Sequence, residues 1–160
     1  MAFLTSMAVG QNLTVRQLLN LSKKSLGEVE QDITSNNWCF FQGVDETEET
    51  FGNAKLVYDR PKFKKGDVGQ YFITYYYSQD DLANALDISF RNKQVYDSYM
   101  SQLDTLKFKL KPSKTVSGNI IKVFRHGGFI AEVTYPPNFD KSNSFKFLFA
   151  RKSNYKKIRR

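Results

Sequence analysis

The sequence predicts an α+β fold: a tandem repeat of a unit made of a helix plus a four-stranded antiparallel sheet, with the helices packed on one face of the sheet. Three observations carry this prediction. Aromatic residues make up 15% of the 160 residues, with 9 Tyr and 14 Phe, a composition that suits pleated, half-buried surfaces. Helix-capping residues precede apolar stripes of helical spacing, and alternating strand-like runs follow each stripe. The two halves can also be laid over one another residue by residue.

Taken in order, Thr14 is placed to cap a short helix carrying Val15, Leu18 and Leu19. Ser25-Leu26-Gly27-Glu28 has the capping-box pattern, with Leu26, Val29 and Ile33 on one side of the helix that follows. Polar Ser35-Asn36-Asn37 ends that helix, and Trp38-Cys39-Phe40-Phe41 opens a strand. After the acidic stretch at 45–49, strand-like runs occupy 54–58, 71–77 and 86–90. Asn92 then caps a helix reaching about Asp104, with Tyr96, Tyr99, Met100 and Leu103 on one side. Further strands are predicted from near Lys107 and at 120–125, 129–135 and 145–149, with Gly127-Gly128 as a two-residue hairpin turn.

Leu26, Val29, Ile33, Trp38 and Phe40 recur, with the same spacings, as Tyr96, Tyr99, Leu103, Phe108 and Leu110. Gly52-Asn53 with Val57-Tyr58 is matched by Gly118-Asn119 with Val123-Phe124, Tyr71-Phe72-Ile73 by Phe129-Ile130-Ala131, and Leu86, Ile88, Phe90 by Phe145, Phe147, Phe149. Self-similarity of this kind marks a repeated supersecondary unit. It divides the chain into a first repeat at 11–92 and a second at 93–150, between a leader-like segment at 1–10 and a basic tail at 151–160.

One helix and four strands cannot bury both their faces, so two copies must share a core. Alternation sends Tyr71, Ile73, Tyr75, Tyr77 and Phe129, Ala131, Val133, Tyr135 toward the helices. The opposite face then presents Phe41, Phe72, Thr74, Tyr76, Lys107, Lys109, Ile130 and Glu132, together with Thr134. Aromatic anchors rimmed by charge are the composition of a protein-binding patch.

The formal charge of +8 is unevenly spread. Residues 1–60 hold 5 Lys/Arg against 8 Asp/Glu, and residues 61–160 hold 19 against 8. The last ten residues include Arg151, Lys152, Lys156, Lys157, Arg159 and Arg160 around Tyr155, a composition shared by phosphate-binding tails and by frayed, solvated termini; the second reading is favoured.

Chemistry is poorly represented. The one cysteine, Cys39, excludes an internal disulfide, and the one histidine, His126, sits beside a turn without a nucleophile elbow. The 45–49 acidic stretch lacks the glycine-punctuated spacing of a calcium loop, and no phosphate-cradling glycine motif is present. No catalytic residue, metal site or cofactor is therefore predicted. Carboxylates paired only in space remain open, and they require a deep pocket lined by two facing acids.

A helix–helix–strand start followed by a small antiparallel sheet, carried by Leu18, Leu19, Leu26, Val29, Ile33 and Trp38, resembles the BamE-like outer-membrane assembly lipoproteins. Two such units in tandem resemble the β-lactamase inhibitor protein, whose concave eight-stranded sheet grips a protein partner. The chain is similar as well to exported proteins of Gram-negative bacteria. The likeness covers 13–150 in element order; the lipoproteins' anchoring cysteine and the inhibitor's paired cysteines are absent, so no binding residue carries over.

The expectation is a non-enzymatic, exported module, periplasmic or envelope-associated, that engages a protein or peptide on its open sheet face. The alternative is a nucleic-acid- or anionic-surface-binding protein, exported or cytoplasmic, using the Lys/Arg-rich second half. No apolar run approaches the ~18 residues of a membrane span. Met1–Gly10 is apolar and rich in small residues, and Ala8-Val9-Gly10 has the small-x-small pattern of a leader cleavage site; without a basic n-region and half the apolar stretch it reads as a leader remnant, the alternative being the short N-terminus of a cytosolic protein. N-terminal sequencing of the protein from an envelope fraction should therefore begin at or near Gln11, and an intact Met1–Gly10 segment there defeats the export reading.

Overall fold

The first three helices each begin where a side chain can substitute for a missing backbone acceptor. The computed structural model describes residues 13–58, 71–79, 83–137 and 144–159; the leader-like segment and Arg160 lie outside these. Thr14 caps α1 (Val15–Leu21), and Gln17 closes the capping box by accepting from the Thr14 N–H. Ser25 and Glu28 repeat the arrangement for α2 (Leu26–Thr34). Asn92 caps α3 (Lys93–Thr105), accepting from the N–H groups of Gln94 and Val95. Caps of this type contribute about 1 kcal/mol each.

The ends of α2 and α3 are alike. Asn37 and Lys107 take left-handed backbone angles, φ 64° and 62°, and turn the chain toward the strands. After α3 the Phe108 N–H donates to the Leu103 carbonyl (3.0 Å) and the Lys107 N–H to that of Asp104 (2.8 Å). This Schellman turn brings Phe108 into the core cluster that holds Leu103.

The first group of strands is β1 (Trp38–Val44), β2 (Gly52–Tyr58), β3 (Tyr71–Ser78) and β4 (Ala83–Phe90). After α3 come β5 (Lys109–Leu110), β6 (Lys114–Val116), β7 (Asn119–His126), β8 (Phe129–Tyr135) and β9 (Phe145–Arg151). All nine form one antiparallel sheet in the order β1-β2-β3-β4-β9-β8-β7-β5, with β6 also on β7. Gly127 and Gly128 have φ of 51° and 84°, the twin positive angles of a hairpin turn whose twist matches its strands.

The strand predicted from near Lys107 is interrupted. Pro112, which has no N–H to give a ladder, separates β5 from β6. At the other edge β1 continues to Val44 through a bulge between Phe40 and Gln42. Gly52 stands opposite Tyr77, whose ring occupies the space of a glycine Cβ, approaching that position to 2.4 Å.

One face of the sheet is sealed by α1, α2 and α3. Val15, Leu18, Val29, Ile33, Tyr96, Tyr99 and Leu103 pack there on Ile73, Tyr75, Leu86, Ile88, Ala131, Val133, Phe147 and Phe149. The predicted inward and outward sets of β3 and β8 are the observed ones. The Tyr99 hydroxyl donates to the Leu13 carbonyl (2.7 Å) and the Val15 N–H to the Gln102 side chain (2.8 Å), which ties α1 to α3.

Two expectations are corrected. The helices do not all lie on one face, because the stretch read as a frayed basic tail forms α4 (Lys152–Ile158) against β4, β9 and β8. Tyr155 and Ile158 give it an apolar side that meets Ala85, Leu148 and Ala150 on the opposite face. Ile130, expected on an open surface, is buried, since its neighbour Ala150 lies in that contact. Among the described residues, no helix is long and apolar enough to cross a membrane.

Trp38 is 1% exposed and Phe40, two residues on, 51% exposed. Trp38→Ala should cost about 3–5 kcal/mol in urea unfolding, with Phe40→Ala costing well under half as much. Equal losses would place Phe40 in the core and misassign the β1 bulge.

Candidate functional site

The face away from α1–α3 is laid out by strand register. One transverse row runs Phe72, Ser89, Lys146, Thr134, Ile121, Lys114 from β3 to β6. The next runs Lys55, Thr74, Asp87, Leu148, Glu132, Val123. Asp87 and Glu132 thus share a row and a face, two strand spacings or about 10 Å apart at their α-carbons.

Both carboxylates are buried, and each has dedicated donors. The Tyr76 hydroxyl donates to Asp87 at 2.9 Å. Glu132 accepts from the Tyr155 hydroxyl and the Arg159 guanidinium, both supplied by α4 and the residue after it. In the Arg159–Glu132 pair the Glu132 side chain is 6% exposed and that of Arg159 51%. Asn154, buried under α4, donates its amide to the backbone and side-chain oxygens of Asn84, both at 3.0 Å.

Burial raises the pKa of Asp87, Tyr155 and Tyr76 alike. Burial, more than any neighbour, pushes the Asp87 carboxyl above its ordinary range; Lys146 and Lys55 and the Tyr76 hydrogen bond oppose it. Burial pushes the Tyr155 phenol up to about 12, reinforced by the Glu132 carboxylate it bonds. Tyr76 is raised by burial first and by Asp87 second. Both phenols stay protonated and serve as hydrogen-bond donors.

The sheet, α4 and the β6–β7 hairpin enclose a cleft of about 750 Å³. Its floor is Asp87, Ile121, Glu132, Thr134 and Lys146; Tyr155 and Arg159 form one wall, and Lys114, Val116, Ser117 and Asn119 the other. Among the described residues neither Lys114 nor Lys146 forms an ion pair, although Lys146 acts through space on the Asp87 carboxyl. The volume lies within the range of small-ligand sites.

The residues expected on this face are dispersed. Phe41 and Phe72 are half-buried and meet edge to face at 6.2 Å, with Lys55 over the Phe72 ring. Thr74 lies beside Asp87 in its row. Tyr76 and Glu132 line the cleft but are committed to Asp87 and to α4. Lys109 stands at the far edge opposite Arg125, and Lys107 forms the turn after α3. Arg151 at the end of β9 is exposed, as are Lys152 and Lys156 on α4; Lys157 is half-buried, and Arg159, just after α4, is held by Glu132.

Asp87, Lys114 and Lys146 were not singled out by the sequence, and Tyr155 was marked only as part of the basic tail. The available signal was Asp87 itself, a carboxylate inside the apolar run Leu86-Asp87-Ile88. Cys39 on β1 and His126 on β7 lie toward opposite edges of the sheet. Among the described residues no three His, Cys, Asp or Glu side chains cluster as a metal would require. No family model matches the sequence, and no curated protein or solved structure matches it either.

An Asp87 pKa raised by folding has a defined effect on stability. Unfolded, its carboxyl releases its proton at about pH 4; folded, it holds that proton to higher pH. Its contribution is therefore fullest below pH 4, falls as pH rises toward the folded-state pKa, and is level above it. Asp87→Asn should remove that decline, so variant minus wild-type stability, from urea titrations, should grow between pH 4 and 7. Parallel profiles would mean that Asp87 ionises in the fold at little cost.

Proposed function

We propose that the chain is a non-enzymatic, exported binding module that holds a peptide segment of a partner protein on its outer sheet face. The cleft beside α4 is its anchoring point. The observation that carries this reading is the unequal cover of the two faces. Among the described residues, three helices seal one side, whereas a single seven-residue helix lies on the other and leaves a polar recess of about 750 Å³ beside it.

The architecture behind it is proposed to be a tandem repeat. In its favour, Asn37 and Lys107, equivalent in the repeat alignment, share a left-handed turn, and Val29, Ile33 and Trp38 are as buried as Tyr99, Leu103 and Phe108. The strand order reads outward from the centre as β4-β3-β2-β1 on one side and β9-β8-β7-β5 on the other. Register favours one adjustment: Tyr71 faces Phe90 and Ala131 faces Phe149, which aligns Tyr71 with Ala131 rather than Phe129. The resemblance to the β-lactamase inhibitor protein, also a tandem unit with a protein-gripping sheet, supports the same function.

A catalytic reading of the paired carboxylates is less well supported. The cleft is lined by two acids, but Tyr76 engages one and Tyr155 with Arg159 the other. Buried ion-pair networks shift titration for structural reasons too.

Thr134, half-buried on the cleft floor, offers a direct test. In a peptide-display selection the wild-type chain should retain peptides that Thr134→Trp, with an unchanged melting temperature, does not. Retention of the same peptides by both proteins, or of none by the wild type, overturns the cleft as the binding site.

A further inference from the structure

We infer that the segment seated in the cleft is acidic, with carboxylates that engage Lys114 and Lys146. This rests on the cleft being a peptide site and adds the chemistry of the peptide. The cleft contains charges of both signs, but they differ in what they still lack. Asp87 has Tyr76, and Glu132 has Tyr155 and Arg159. Lys114 and Lys146 are exposed and form no ion pair among the described residues, and Lys146 acts on the Asp87 carboxyl only through space. The charges of the recess that lack a hydrogen-bonded counter-ion are therefore cations, and they suit anions.

Register sets the spacing of these cations. Lys146 faces Thr134, Thr134 faces Ile121 and Ile121 faces Lys114, so the two lysines share one row and one face. Three strand spacings of about 4.8 Å separate their α-carbons by roughly 14 Å, close to four residues of extended chain. An extended segment crossing the strands would thus meet both lysines with acidic residues about four positions apart.

A peptide fits the ground between the lysines better than a phosphate backbone does. Thr134, half-buried on the floor between them, can donate to a peptide carbonyl and accept from a peptide N–H. A phosphodiester can only accept from it, having no N–H to give. Of the described cations from Arg151 onward, Arg159 lines the cleft and is held by Glu132, whereas Arg151, Lys152, Lys156 and Lys157 are absent from its lining.

The test is an array of synthetic extended peptides that vary in glutamate number and spacing, each with a glutamine counterpart, probed with the labelled full chain. Signal should peak for glutamate pairs about four positions apart and drop with glutamine. Lys114→Glu and Lys146→Glu should each weaken binding roughly tenfold, with Lys156→Glu on α4 as an unaffected control. Binding indifferent to glutamate but lost in Thr134→Trp overturns the acidic ligand and keeps the cleft, whereas indifference to Thr134→Trp removes the cleft itself. Tighter binding of a single-stranded oligonucleotide through the same two lysines would make the occupant a nucleic acid and overturn the proposal.

Discussion

The pairing of β4 with β9 is the contact on which the rest of the molecule depends. It joins the strands before α3 to those after it, and it is centred on Ile88 opposite Phe147, with Leu86 facing Phe149 and Phe90 facing Phe145. All six side chains are essentially inaccessible to water. Phe90 and Phe147 stack at 5.7 Å, and Tyr96 and Tyr99 from α3 close edge-on over Phe147. A slip of one residue would turn this aromatic row onto the outer face, so the helices and the sheet fix one another's position.

The same register determines what the outer face can be. Once Ile88 meets Phe147, Asp87 must face Leu148 and, through it, Glu132, since successive residues alternate faces. Two carboxylates are thereby brought onto a sheet surface that also holds Ala85, Leu148 and Ala150. Burying them without partners would cost several kcal/mol. Tyr76 serves Asp87 within the sheet, and α4 serves Glu132 from above. Asn84 links the two sides: its amide donates to the Lys24 carbonyl and the Tyr75 hydroxyl on the helix side, and its oxygens accept from Asn154 of α4.

Much of this was legible in the sequence, for local reasons. Thr14, Ser25 and Asn92 announced their helices because caps act within a few residues, and Gly127-Gly128 announced its turn by its backbone freedom. Alternation in β3 and β8 sorted the faces because period two depends only on the strand itself. The failures involve contacts between distant segments. Lys152 to Arg159 reads as a solvated tail until Glu132 and Asn84 are brought beneath it, and Ile130 reads as surface until α4 covers its surroundings. Lys114 and Lys146 look like ordinary surface lysines until pairing through Thr134 and Ile121 aligns them.

The wall of the cleft is the least self-sufficient part of the fold. Seven residues are too few for a stable isolated helix, and α4 has no side-chain cap at its start. Its attachment relies on half-buried Tyr155 and Ile158, on Asn154, and on the bonds to Glu132. The sheet floor, by contrast, is held from behind by the aromatic core. Under the proposed function, a ligand in the cleft would meet a rigid floor and a lightly anchored wall. Any contact it made with Tyr155 or Arg159 would stabilise docked α4, and docking of α4 would raise ligand affinity by the same factor. Affinity of the cleft and docking of α4 would then be linked quantities, and Glu132, bonded to both wall residues, is where they would meet.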